Sequence, residues 1–194
     1  MIEARMLARR FGEKRVIEGL DLDLEANGFL VVAGPNGSGK STLLSLFAGL
    51  LAPTGGRLEV EAERHAIGYL AHEPLVYREL SALENLDLYG RLYRVRERRE
   101  RIGMLLERYG LWHARHERVS AFSRGMTQRL ALCRTFLHEP ALVLMDEPHA
   151  GLDRAGRAML DDELAGLAGA RTFVVATHDP DALRALATSR LDLA

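Results

Sequence analysis

The chain has 194 residues, a formal net charge of -1 and a pI of about 6.7. That length suits one domain, or one domain with a small subdomain, able to bury a substantial core, and the balanced charge supplies no global basic field and so argues against a nucleic-acid partner. The single cysteine, Cys133, excludes an internal disulfide and suits a reducing cytosol, and its neighbours Leu130, Ala131 and Leu132 predict a buried structural thiol.

The N-terminal MIEARMLARRFGEKR has no apolar core of the kind a signal peptide needs. Residues 16–25, VIEGLDLDLE, alternate apolar and acidic residues, which predicts a half-buried strand, and Asn27-Gly28 signals a turn. Phe29 to Ala33 is a continuous apolar run, read as a buried strand. It feeds GPNGSGKST, residues 34–42, and a helical pattern follows in Leu43, Leu44, Leu46, Phe47 and Leu50. The longest apolar stretch, 43–52, stops at Pro53 and is about half a membrane span, so work at a membrane would need spanning segments from a partner.

After the Pro53–Gly56 cluster, residues 58–61 alternate as a strand and 66–70 read as another short one. From about 74 to 137 the pattern is mostly helical. Apolar runs return at 141–145 and 172–176, as parallel strands buried on both faces would, with a helical stretch at 154–168 as their crossover. The layout predicts an α/β core with an N-terminal antiparallel β subdomain, residues 1–72 and 138–194. A helical subdomain, 73–137, is inserted into it.

Gly34, Gly39, Lys40 and Ser41 satisfy the P-loop pattern between a strand and a helix, which is the context it requires. The glycines let backbone N–H groups curl around phosphates, and the helix presents its positive end to them. Lys40 is placed to reach the β- and γ-phosphates and Ser41 to ligate Mg²⁺. A nucleoside triphosphate is the implied ligand.

Three further blocks narrow this reading. In LVLMDEPHAGLD, 142–153, the strand ends in Asp146, a magnesium-facing carboxylate, and Glu147 can act as general base on a water beyond the γ-phosphate. In FSRGMTQRLALCRTF, 122–136, Ser123 and Gly125 open an amphipathic helix. Taken alone, that Ser is an ordinary N-cap; alongside the other blocks, it offers a second anion-binding end. In Thr177-His178-Asp179, His178 can hydrogen-bond a γ-phosphate oxygen or the attacking water.

These four blocks, in this order, resemble the ATP-binding cassette (ABC) ATPases, and the resemblance covers essentially the whole chain. It implies a RecA-like P-loop NTPase core and Mg²⁺-dependent ATP hydrolysis. The stretch from Gly34 through Pro35, Asn36, Gly37, Ser38, Gly39, Lys40 and Ser41 to Thr42 matches the family's Walker A. LVLMDEP matches Walker B with its glutamate, AGLD the D-loop and His178 the switch histidine. FSRGMTQRLAL lies where the LSGGQ signature belongs, so Ser123 and Gly125 would close on ATP held by an opposing cassette, either a second copy or a paired one. Phe11 fits the aromatic that stacks on adenine, although a Phe on a strand edge also serves simply as packing. Membrane transporter subunits would be the further partners, with the cassette peripheral on the cytoplasmic side of the cell membrane.

The signature's first Gly is Arg124 here and its Gln is Met126. Arg124 either adds charge near the phosphate or lies in solvent. In the Q-loop segment, Leu70-Ala71-His72-Glu73-Pro74, Glu73 is the expected counterpart of the family's metal-linking Gln. Residues 67–95 are similar to the cytochrome c maturation haem-exporter cassettes, and drug and polysaccharide exporter cassettes share the ALENL element. The basic run 91–101 reads as a solvated helix face or as a contact for a membrane partner or anionic lipid. A GTPase would carry an Asn-Lys-x-Asp segment, which is absent, and a kinase would not need Glu147 beside Asp146.

Overall fold

The structure, a computed structural model, describes residues 1–193, and these form two compact units. The first takes Met1–His72, Ala141–Pro148 and the chain from Leu167 on; the second takes Glu73–Pro140 and His149–Gly166.

The first unit holds two sheets. Strands β1 (Ile2–Phe11), β2 (Lys14–Leu24) and β4 (Gly55–Val60) pair antiparallel in the order β2-β1-β4. The other sheet contains β3 (Phe29–Ala33), β5 (Ile67–Leu70), β6 (Leu142–Asp146), β7 (Thr172–Thr177) and β8 (Ser189–Asp192). It is parallel, in the order β5-β6-β7-β3-β8. Every residue of β3, β6 and β7 is buried, as the apolar runs that make up most of each strand require of inner parallel strands. Phe29 and Phe173 face each other in register and stack at 5.1 Å between ring centroids. Helix α1 (Lys40–Phe47) adds Leu43, Leu44, Leu46 and Phe47 to the core.

Two strands have no counterpart in the sequence reading. In β1 the alternation of Ile2 and Ala4 is broken by an irregularity between Ala4 and Leu7, where Met6 adopts φ 47°, so the buried face resumes out of phase. Strand β8 carries one apolar residue, Leu191, and exists through its ladder with β3.

The second unit contains helices α2 (Ala82–Leu92), α3 (Arg98–Arg108) and α4 (Arg124–Phe136), together with α5 (Arg154–Leu167) up to Gly166. The expected helical segment 73–137 lies inside it, joined by 138–140 and 149–166. Helix α5, which runs between β6 and β7 in sequence, is tied to α3 by an ion pair of Arg108 with Glu163 at 2.7 Å. Cys133 is fully buried, 3.6 Å from the Leu105 carbonyl, and burial pushes its thiol pKa far up, as befits an inert packing group.

Helix α2 starts in a capping box. Ser81 Oγ accepts from the Glu84 N–H at 3.2 Å and Glu84 Oε2 accepts from the Ser81 N–H at 2.8 Å. Ser81→Ala is expected to cost about 1 kcal/mol and lower the melting temperature by roughly 2–4 °C in a thermal scan, since the helix end loses the side-chain acceptor that satisfies the Glu84 N–H.

Candidate nucleotide-binding site

The P-loop takes its shape from glycines at two places where no other residue fits. Gly34 has φ 153°, and a Cβ there would lie 2.5 Å from the Leu193 carbonyl oxygen and 2.6 Å from Ser38 Oγ. Gly39 caps α1 with φ 100°, and its Cβ would meet Val16 Cγ1 at 2.9 Å. Lys40, only 6% exposed, donates from Nζ to the carbonyls of Gly34 and Pro35 at 2.7 and 3.1 Å. The ammonium is thereby folded over the mouth of its own loop.

A cavity of about 580 Å³ opens there. From the loop and α1 it is lined by Asn36, Gly37 and Gly39 through Thr42; from the β1–β2 hairpin by Phe11, Lys14 and Val16; and from strand ends by His72, Asp146 and Glu147. Gly34, Pro35 and Ser38 complete the loop behind these residues. Phe11 is 46% exposed, and the Arg9 guanidinium covers its ring at 4.5 Å.

Asp146 closes β6 at 3% exposure. Burial pushes its carboxyl above the usual range, opposed by a hydrogen bond with Ser41 and by the charges of His72 and Lys40, while Glu147 pushes the same way as burial. Glu147 leaves the strand with φ 49°, its N–H donating to the Ala176 carbonyl at 2.9 Å. Its Oε2 is 2.7 Å from His178 Nδ1, a bond the ring donates when that nitrogen carries the proton. Glu147 Oε1 is buried without a hydrogen-bond partner.

Of the expected site residues, Ser123 and Gly125 belong to the second unit, at the start of α4, and Glu73 begins that unit. Ser123 is the N-cap, accepting from the Met126 N–H at 3.2 Å. Arg124 lays its side chain along the 149–153 turn: a Cβ at Gly151 would lie 3.0–3.2 Å from Arg124 atoms. Gly125 approaches the same turn, with space for a Cβ only 3.1 Å from the Gly151 carbonyl oxygen. His149, opening that turn, is 2.7 Å from Asp161. In the basic run, Arg91 and Arg98 converge on Asp87 at 2.8 and 2.6 Å, and Arg101 donates to the Phe136 carbonyl at 3.0 Å.

Three lining residues lie outside the sequence-based expectation. Lys14 and Val16 enter through the register of the hairpin, which pairs Phe11 with Lys14. His72 lines the cavity where the expectation fell on its neighbour Glu73.

A parallel sheet in which β3 leads into a P-loop, with an acidic pair at the end of β6 on the far side of β7, defines an α/β P-loop NTPase domain. The family model described as "ABC transporter" matches residues 17–150, and the chain belongs to that family. It is 35% identical over 184 residues to the uncharacterized ABC transporter ATP-binding protein YxlF of Bacillus subtilis, covering 92% of this chain and 62% of the relative. It is 38% identical over 180 residues to the daunorubicin resistance ATP-binding protein DrrA3 of Streptomyces coeruleorubidus, covering 87% of this chain and 57% of that one. The chain therefore spans about three-fifths of these relatives' lengths. Among solved structures, a dimeric bacterial ABC transporter cassette superposes with a TM-score of 0.87 at 26% identity, over 99% of this chain and 94% of that one.

Proposed function

We propose that this chain is the ATP-hydrolysing cassette of an ABC transporter, working with a second cassette and with separate membrane subunits. The observation that carries the reading is the convergence of Lys40, Ser41, Asp146 and Glu147 on one cavity, with Glu147 Oε1 buried and unpaired. Lys40 binds the β- and γ-phosphates, turning from its loop carbonyls to the nucleotide, and Phe11 faces the adenine. Glu147 accepts a proton from the attacking water. His178, bonded to the other carboxylate oxygen, holds Glu147 in orientation.

Mg²⁺ fits the donor set. Ser41 and Asp146, joined by a hydrogen bond, offer two hard oxygens at the wall of the cavity. That is the arrangement Mg²⁺ favours, with one or two protein oxygens and the remainder from phosphates and water. When bound, the ion neutralises charge on the phosphate oxygens.

Ser123 and Gly125 serve the opposing cassette's nucleotide in this reading, so ATP binding drives dimer closure and hydrolysis releases it. Ser123→Arg is expected to leave ATP binding by the monomer unchanged while abolishing the ATP-dependent dimer in light scattering. Equal loss of both would place Ser123 in its own chain's pocket. Among the described residues no helix is long and apolar enough to cross a membrane, so in this reading the spanning segments are supplied from elsewhere.

For the cargo, the 67–95 segment supports haem export, and the name of one relative, DrrA3, supports drug export. Co-purification tests both. Tagged Glu147→Gln protein, taken with ATP from solubilised membranes of its source cell, is expected to bring down a multi-span membrane protein in near-equal amount. The identity of that protein assigns the cargo. Soluble partners alone would overturn the transporter reading in favour of a non-transport ABC ATPase.

A further inference from the structure

We infer that Arg9 is a positioning residue for the nucleotide base: its guanidinium, laid on one face of the Phe11 ring, holds the ring so that the other face receives the adenine. The inference deepens the proposed ATP-binding function of the same cavity and rests on it. Phe11 ends β1 and pairs with Lys14 across a turn of two residues, Gly12 and Glu13. Gly12, Glu13 and Lys14 are exposed and Phe11 is half exposed, so the hairpin tip gives the ring few fixed neighbours. Arg9 lies two residues back along β1, hence on the same face of the strand, with its guanidinium carbon 4.5 Å from the ring centroid. The guanidinium is itself anchored. One Nη donates to the Ala52 carbonyl at 2.8 Å, in the segment that follows α1. Thr54 ties that segment to the same strand: its N–H donates to the Ala8 carbonyl at 2.8 Å, and its Oγ1 accepts from the Arg10 N–H at 3.1 Å. Arg9 Nε is buried without a hydrogen-bond partner, which leaves the ring face as the group that compensates the cation there. All of these residues belong to the first unit.

The negative face of an aromatic ring attracts a cation, and a phenyl ring has two such faces. With Arg9 on one, cation, ring and base form three layers. A ring free to rotate loses that freedom when a base stacks on it; a ring already held by Arg9 loses less, and binding is tighter by the difference. The effect belongs to the base end of the nucleotide. Arg9 does not line the cavity, so the contacts of Lys40 and Ser41 with the phosphates are independent of it.

The test is calorimetry of the full chain with Mg²⁺ and either a non-hydrolysable ATP analogue or inorganic tripolyphosphate, which has no base. Arg9→Ala is expected to weaken the ATP analogue about fivefold and to leave tripolyphosphate within about twofold. Arg9→Lys, which keeps a cation and a donor for the Ala52 carbonyl, should recover most of the loss. In a Phe11→Ala background, Arg9→Ala should change the ATP analogue by less than about twofold, because Arg9 acts through the ring. An undiminished effect in that background would overturn the assignment. So would equal weakening of tripolyphosphate, which would mean a loosened loop. Tighter binding of the ATP analogue by Arg9→Ala would also overturn it, by showing that the guanidinium occupies the face the adenine needs. If Phe11→Ala alone leaves the ATP analogue unchanged, the ring is no adenine platform and the inference falls with it. If wild-type protein binds no ATP analogue, the ATP-site reading itself fails, an outcome distinct from any behaviour of the variants.

Discussion

Lys40→Ala is expected to weaken ATP binding by roughly a hundredfold or more, since a cation making charge-assisted bonds to two phosphates contributes about 3 kcal/mol or above. The structure adds a second consequence. The Lys40 ammonium donates to the carbonyls of Gly34 and Pro35, and its removal leaves both without that donor. The P-loop should therefore loosen as well as lose its phosphate ligand. Calorimetry with ATP measures the first effect, and a thermal scan in the absence of nucleotide measures the second. Lys40→Arg separates them: a guanidinium can still reach the carbonyls but does not fit the compact ammonium's place between phosphates. Near-normal ATP affinity in Lys40→Ala would remove the P-loop from the binding site.

Glu147→Gln is expected to reduce steady-state ATP hydrolysis by about two to four orders of magnitude, the usual contribution of a positioned general base. Nucleotide affinity should persist, because Lys40, Ser41 and the loop N–H groups are untouched. The amide conserves size and can still bond His178, so the change removes basicity with little disturbance of shape. With chemistry blocked and both phosphate cages intact, ATP should hold two cassettes together, seen as a stable dimer in size-exclusion chromatography with light scattering. Hydrolysis at the wild-type rate would transfer the base to another group. A parallel His178→Ala variant should lower turnover less, because it frees Glu147 to rotate without removing its carboxylate.

The P-loop and the three inner strands were legible because their conformations are local necessities. A positive φ and an overlapping Cβ at Gly34 leave glycine as the residue that fits, and the runs FLVVA, LVLM and FVVA have no polar face to turn to water. The acidic pair at 146–147 was readable for the same reason, as the abrupt end of such a run. Ser123 at the mouth of α4 was readable as an N-cap because it too acts within a single helical turn, whereas the Ser81–Glu84 capping box of α2 was found in the structure.

What escaped the sequence depends on neighbours distant along the chain. Strand β8 is a strand because β3 offers it an edge, and β1 hides its alternation behind the irregularity at Met6. Helix α5 reads equally as a crossover; its membership of the helical unit rests on contacts such as Arg108 with Glu163. The bond of His178 to Glu147 spans 31 positions and requires β6 to lie beside β7, and the entry of His72 into the cavity requires β5 beside β6. The packing of Arg124 against Gly151 likewise joins segments that no local pattern relates. By itself the sequence determined the phosphate loop, the buried strands, the acidic pair and the cap of α4, because backbone stereochemistry and burial act over a few residues. Only the tertiary structure decided which side chains share the cavity, because strand order is set by hydrogen-bonded ladders between remote segments.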